Sequence, residues 1–210
     1  MMKNRSIVVL KWIVFPACLV PLGLLVSDGF TNQLGPDPVA EITHRTGFLA
    51  LYFLLASLAI TPLRRLHSRL NWLIRFRRML GLFAFFYACL HLLTWVWLFS
   101  EFDVHAMAHD FIKRPFITVG IFAWVILSAL AATSTQWAVR KLGGKRWQWL
   151  HRAVYLAAIS AVIHYWWIVK SGVHTPWKVT AVLAVLLLLR VAWQAKETAR
   201  KRLVSVAVGA

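Results

Sequence analysis

Acidic side chains are scarce in this chain of 210 residues, where seven Asp and Glu stand against 24 Lys and Arg for a formal net charge of +17. None of the seven lies deep in an apolar stretch, so the intramembrane carboxylates that a proton-relaying transporter calls for are missing. Cysteine is almost absent. Cys18 and Cys89 both fall inside apolar windows, where the residue reads as a small hydrophobe and specifies neither compartment nor metal. No stretch is Gly/Ser-rich or of low complexity, and no internal repeat is evident along the chain. There is no G-x-G-x-x-G, and Gly143-Gly144-Lys145 lacks both the first glycine of a phosphate loop and the Ser/Thr after its lysine. With only about fifteen residues after the last apolar run, no soluble nucleotide-binding domain is expected.

What the chain has in abundance is apolar surface. It is 60% hydrophobic with 12 tryptophans, and its mean hydropathy is +0.66, which is the composition of a polytopic membrane protein. Windows long or nearly long enough to span occur at Ile7 to Val26, Gly47 to Ile60, Leu80 to Phe99, Phe116 to Ala132, Leu150 to Val169 and Val179 to Trp193. The expected fold class is all-α, a single domain over residues 1–210 built as a bundle of six transmembrane helices. Lys3, Arg5 and Lys11 at the start resemble a signal peptide, but no convincing cleavage site follows, so the first span is read as a retained anchor.

The positive charge is not spread evenly. Arg64, Arg65, Arg69, Arg75, Arg77 and Arg78 follow the second window, Arg140, Lys141, Lys145 and Arg146 precede the fifth, and Lys196, Arg200, Lys201 and Arg202 follow the sixth. The alternate loops hold Asp28, Asp37, Glu41, Glu101, Asp103 and Asp110. The positive-inside rule puts both termini and the basic loops in the cytoplasm and the acidic loops outside. This distribution explains the charge without nucleic acid. Three longer connections are expected as loops: Ser27 to Arg45, with the turn chemistry of Gly35-Pro36-Asp37-Pro38, Pro62 to Arg78, and Ser100 to Pro115.

Histidines inside apolar windows carry the chemistry, because lipid offers an imidazole neither a hydrogen bond nor a metal. His91 lies about 11 residues and His164 about 14 residues from the basic ends of their windows, depths of roughly 17 and 21 Å. Two imidazoles at one height on facing helices are what axial ligation of a haem needs; the alternative is a pair of buried histidines bonded to hydroxyls or carbonyls. His151 is thirteen residues before His164, roughly 20 Å along a helix and about 140° of rotation from eclipsed. The matching position on the third helix is Arg78 rather than a histidine, so a second site is incomplete. His151 is left as a ligand to an inner haem with a partner from elsewhere, a contact to quinone or flavin, or an interfacial residue without a cofactor.

Arg77 and Arg78 at the basic mouth of the third helix are positive-inside anchors whose guanidinium forks also suit a flavin phosphate or haem propionate. His44 with Arg45, at the outer start of the second helix, is placed for a propionate or a plain interfacial role. His67, His105, His109 and His174 are expected in loops; His105 and His109 are spaced i, i+4 without a third ligand.

These residues resemble the ferric-reductase-like transmembrane superfamily, to which NADPH oxidases belong, and within it the family of MsrQ haem-binding membrane subunits. The resemblance rests on Gly35-Pro36-Asp37-Pro38-Val39, Ile60-Thr61-Pro62-Leu63, Arg77-Arg78-Met79-Leu80-Gly81-Leu82, His91-Leu92, Arg114 to Gly120, Lys141-Leu142-Gly143, Arg146-Trp147, Leu150-His151, Val154-Tyr155 and His164-Tyr165. It implies a b-type cytochrome of the bacterial inner membrane carrying one haem b, or two, on His91, His164 and His151. Electrons would enter from quinol or a cytosolic flavin reductase and leave to a periplasmic molybdopterin-containing methionine-sulfoxide reductase that repairs oxidised proteins. FMN is a cofactor the resemblance implies and the residues do not. A non-redox membrane anchor, a proton-linked transporter and a direct ferric reductase are the competing functions.

Overall fold

The computed structural model describes residues 4–169 and 175–208, and every regular element among them is helical. His174 lies outside the described residues. The helices are α1 (Asn4–Phe30), α2 (Pro38–Leu66), α3 (Ile74–Leu93), α4 (Val104–Lys113), α5 (Pro115–Ala132), α6 (Gln136–Leu142), α7 (Gly144–His151), α8 (Val154–Ile168) and α9 (Thr175–Val208). A 3₁₀ segment, Ser68–Leu73, leads into α3, and a π-helical segment, Thr94–Phe99, continues it.

Among the described residues, five helical stretches are long and apolar enough to cross a membrane: Arg5–Phe30, Pro38–Leu66, Ser68–Phe99, Pro115–Ala132 and Pro176–Lys201. The fifth expected span, 150–169, is divided. The N–H groups of Arg152, Ala153 and Tyr155 bond three residues back rather than four, which tightens the chain between α7 and α8. This leaves α8 with 15 residues, about 22 Å of helix. His151 and His164 therefore stand on different helices. α7 is tied sideways: Trp147 Nε1 donates to the carbonyl of Thr133 at the end of α5, 2.8 Å away.

The connections expected as loops are mostly helical. The Gly-Pro-Asp-Pro turn is real, with Gly35 at φ +80°, but its second half already starts α2. Pro38 occupies the first turn, where its missing N–H costs nothing, and the Asp37 carboxylate caps the Ala40 N–H at 3.0 Å. Pro62 to Arg78 is filled by the end of α2, the 3₁₀ segment and the start of α3. Ser100 to Pro115 contains α4, capped by Asp103, with Val104 and Ile112 exposed among polar neighbours.

α2 packs most extensively on α3 and α5 on α8, while α9 lies against α2 and α8. The core uses Leu54, Leu58, Leu127, Leu183 and the fully enclosed alanines Ala84, Ala157 and Ala158; small side chains let helices approach where no hydrophobic force separates protein from lipid. α1 is peripheral, pinned by Tyr87 Oη donating to the Cys18 carbonyl at 2.7 Å. The many exposed Val, Ile, Phe and Trp side chains of α1, α5 and α9 make a surface suited to lipid. Asp28, Asp37, Glu41, Glu101, Asp103 and Asp110 collect at one end of the bundle, called the acidic end below; the arginine-rich segments collect at the other, the basic end.

Candidate functional site

His91, in the last turn of α3, and His164, about one turn before the end of α8, face each other near the acidic end. Their ring centroids are 5.9 Å apart and the planes are inclined by 79°. Each ring is held the same way. His91 Nδ1 donates to the Thr43 carbonyl of α2 at 2.9 Å, and His164 Nδ1 donates to the Phe116 carbonyl of α5 at 2.6 Å. A carbonyl only accepts, so each Nδ1 carries the proton and each Nε2 keeps its lone pair for a metal. This is the outer support that fixes tautomer and orientation in histidine metal ligands.

Two glycines make those bonds reachable. In an α-helix the residue four positions after a carbonyl stands over it on the same face. Gly47 follows Thr43 by four and Gly120 follows Phe116 by four. A Cβ on Gly47 would come within 3.0 Å of His91 Cε1, and one on Gly120 within 2.8 Å of His164 Cε1 and Nδ1. Each histidine also lies 48 residues after the carbonyl it binds. The chain thus builds one imidazole seat twice, although its sequence shows no overt repeat.

Among the described residues no group of three His, Cys, Asp or Glu side chains could hold a metal ion. Two opposed imidazoles, each with its Nδ1 committed to a carbonyl, suit a metal that brings its remaining ligands with it, as iron in a porphyrin does. The ring separation agrees, because metal–imidazole bonds of about 2 Å on each side put two ring centroids about 6 Å apart. One turn beyond His91, Trp95 Nε1 is buried without a hydrogen-bond partner, a donor suited to a polar edge of a bound group. The residues present fit a haem.

The remaining candidates divide between the two ends. His44 is exposed and tilted against Phe48, with ring centroids 6.4 Å apart. Arg45 bonds Glu41 at 2.6 Å and also pairs with Asp28, so its charge is matched by two carboxylates of the chain. His105 and His109 are exposed on α4, and His109 Nδ1 is 3.8 Å from Asp110.

At the basic end, Arg77 is half-buried with Nη1 3.5 Å from Thr61 Oγ1, whereas Arg78 is exposed. His151 stacks on Trp147 with centroids 3.9 Å apart, and its Nε2 is 3.2 Å from Thr133 Oγ1. Since that hydroxyl donates to the Ala129 carbonyl at 2.7 Å, it accepts from His151 Nε2–H. His151 thus presents its ring differently from His91 and His164, and among the described residues no second imidazole stacks or bonds with it. Sequence reasoning missed Gly47, Gly120, Trp95, Thr133 and Arg190; the last was visible as a lone charge inside the apolar run Val179 to Trp193.

Residues 46–162 match the family of ferric reductase like transmembrane components. The chain is 54% identical over 191 residues to the protein-methionine-sulfoxide reductase heme-binding subunit MsrQ of Herminiimonas arsenicoxydans, covering 90% of this chain and 87% of that protein. It is 48% identical to the subunits of the same name from Ralstonia nicotianae, with 92% and 89% covered, and Bordetella pertussis, with 93% and 96% covered.

Proposed function

The chain belongs to the ferric-reductase-like transmembrane family and, within it, to the MsrQ haem-binding subunits, and on that premise we propose that it is a six-span b-type cytochrome of the bacterial inner membrane that carries electrons outward. The observation that carries the proposal is the opposed pair His91 and His164 with both Nδ1 atoms committed to backbone carbonyls. The reading takes residues 1–210 as one domain with both termini in the cytoplasm, α8 being the short fifth crossing.

A bound haem iron supplies reversible one-electron chemistry that no side chain here can supply. Everything else falls to the protein. His91 and His164 would hold the iron from α3 and α8, and the Thr43 and Phe116 carbonyls keep each imidazole turned and electron-rich. Trp95 and His44 would meet a propionate at the acidic end, with Arg45, already paired with Glu41 and Asp28, beside them. The apolar helices exclude water and set a low dielectric around the site.

Arg77, Arg78 and His151 mark the opposite end, where electrons from quinol or a cytosolic flavin reductase would enter. FMN is carried in this reading as a cofactor of that entry side. The acceptor is a separate periplasmic methionine-sulfoxide reductase of molybdopterin type, which does the substrate chemistry. The basic end also suits anionic lipid.

The test is transfer itself. Vesicles containing the protein, a flavin reductase with NADH inside and the purified periplasmic reductase with a methionine-sulfoxide substrate outside, should reduce substrate in wild type and lose about all of that rate in His91→Ala and His164→Ala. Unchanged rates in both variants would reduce the protein to an anchor. Reduction of external ferric chelates at the same rate without the partner would make it a direct ferric reductase.

A further inference from the structure

Arg190 of α9 is a cation buried among apolar side chains, 8% exposed. Its Nη2 donates to the Leu58 carbonyl of α2, and its guanidinium lies 4.8 Å above the Tyr155 ring of α8. Nε and Nη1 are buried with no hydrogen-bond partner. The Tyr155 side chain also interacts favourably with it, whereas the cations that act on it, Arg77 and Arg65, have the same sign, and Arg77 also acts on His151. The one carboxylate toward this end of the chain is Glu197, and it sits 3.9 Å from Arg65 on the half-exposed rim.

A guanidinium stays protonated in proteins, and buried charges are found paired or bound to an ion of opposite sign. No such partner comes from the described residues around Arg190. Its free Nε and Nη1 edge has the fork geometry that takes a carboxylate or phosphate through two parallel bonds. We propose that Arg190, with Arg77 beside it, is an oxyanion site in the basic half of the bundle, where it holds the phosphate or carboxylate of a ligand bound between α2, α3, α8 and α9. Trp147 stacked on His151, and Tyr155 under Arg190, supply flat apolar surface nearby. The inference goes beyond the haem held by His91 and His164 and stands without it. Three sources share the chemistry: the phosphate of a flavin mononucleotide, a propionate of a second porphyrin, and the headgroup of an anionic phospholipid.

The test measures flavin, haem and phospholipid per chain in the purified full-length protein for wild type, Arg190→Gln and Arg77→Gln. One of the three should fall about tenfold in both variants, the loss expected for a charge-assisted hydrogen bond, while the reduced-minus-oxidised spectrum of the His91–His164 site persists. Flavin loss would be confirmed by a tenfold preference for riboflavin 5′-phosphate over riboflavin that the variants abolish. A fall from two haems to one identifies a porphyrin, and loss of co-purifying anionic lipid identifies a headgroup. Unchanged contents in Arg190→Gln overturn the proposal. Should Arg190→Gln not accumulate, unchanged contents in Arg77→Gln overturn it equally.

Discussion

An imidazole can reach the carbonyl of a neighbouring helix only where no side chain stands over that carbonyl, and here the clearance is set by single hydrogen atoms. Gly120→Ala would push a methyl against His164 Cε1 and Nδ1 at 2.8 Å, and overpacking of this kind costs about 1–3 kcal/mol. Haem occupancy in Gly120→Ala is expected to drop about tenfold, with a shifted haem reduction potential in what remains. Gly47→Ala, at 3.0 Å, should show the same changes to a smaller degree. Redox titration of the purified variants checks the order, and wild-type potentials in both would contradict the seating role. The histidines themselves were legible because imidazole is conspicuous among Leu, Phe and Trp. The glycines were not, since glycine in an apolar run signals close approach without saying to what. Arg190 was legible in kind, as a charge inside a span, yet its partners on α2 and α8 are 132 and 35 residues away in sequence.

Helix existence followed from hydropathy, whereas helix ends followed from local chemistry that a hydropathy window averages away. α2 starts nine residues before the expected Gly47 because Asp37 caps it and Pro38 is preset for a first turn. Asp37→Ala should lower stability by about 1 kcal/mol, seen as a reduced melting temperature with the haem spectrum unchanged; an unchanged melting temperature would deny the cap its role. The break between α7 and α8 was hidden for a related reason. Residues 144–168 are helical almost throughout, and what separates the two pieces is a tightening of hydrogen bonds together with the tether from Trp147 and His151 to Thr133. Thr133→Val removes the acceptor of His151 Nε2 while keeping the volume. It is expected to leave the His91–His164 spectrum intact and to loosen α7, measured as faster amide exchange over residues 144–151. Exchange identical to wild type would show that the hydroxyl does not hold the helix.

Across the whole molecule the charge asymmetry orders everything else. Six carboxylates gather at the end where the imidazoles face each other, and most of the arginines, Arg45 and Arg114 excepted, gather at the end where Arg190 is buried. Arg77 and His91 are 14 residues apart on α3, about 21 Å of helix, so the two layers lie toward opposite faces of a ~30 Å hydrocarbon core. In the proposed orientation, which follows the positive-inside rule, the basic end is cytoplasmic. Single cysteines placed at residue 108 and at residue 145 in a Cys18→Ala/Cys89→Ala background should label from outside and inside the cell respectively. The reverse pattern would invert the direction of electron flow.

The most direct measurement is the dithionite-reduced minus oxidised absorption spectrum of the purified protein, with haem quantified per chain, for wild type, His91→Ala, His164→Ala and His151→Ala. The account predicts a b-type spectrum in wild type that is lost in both His91→Ala and His164→Ala and survives in His151→Ala. A wild-type protein purified colourless from haem-replete cells, or a spectrum indifferent to His91 and His164, would contradict it.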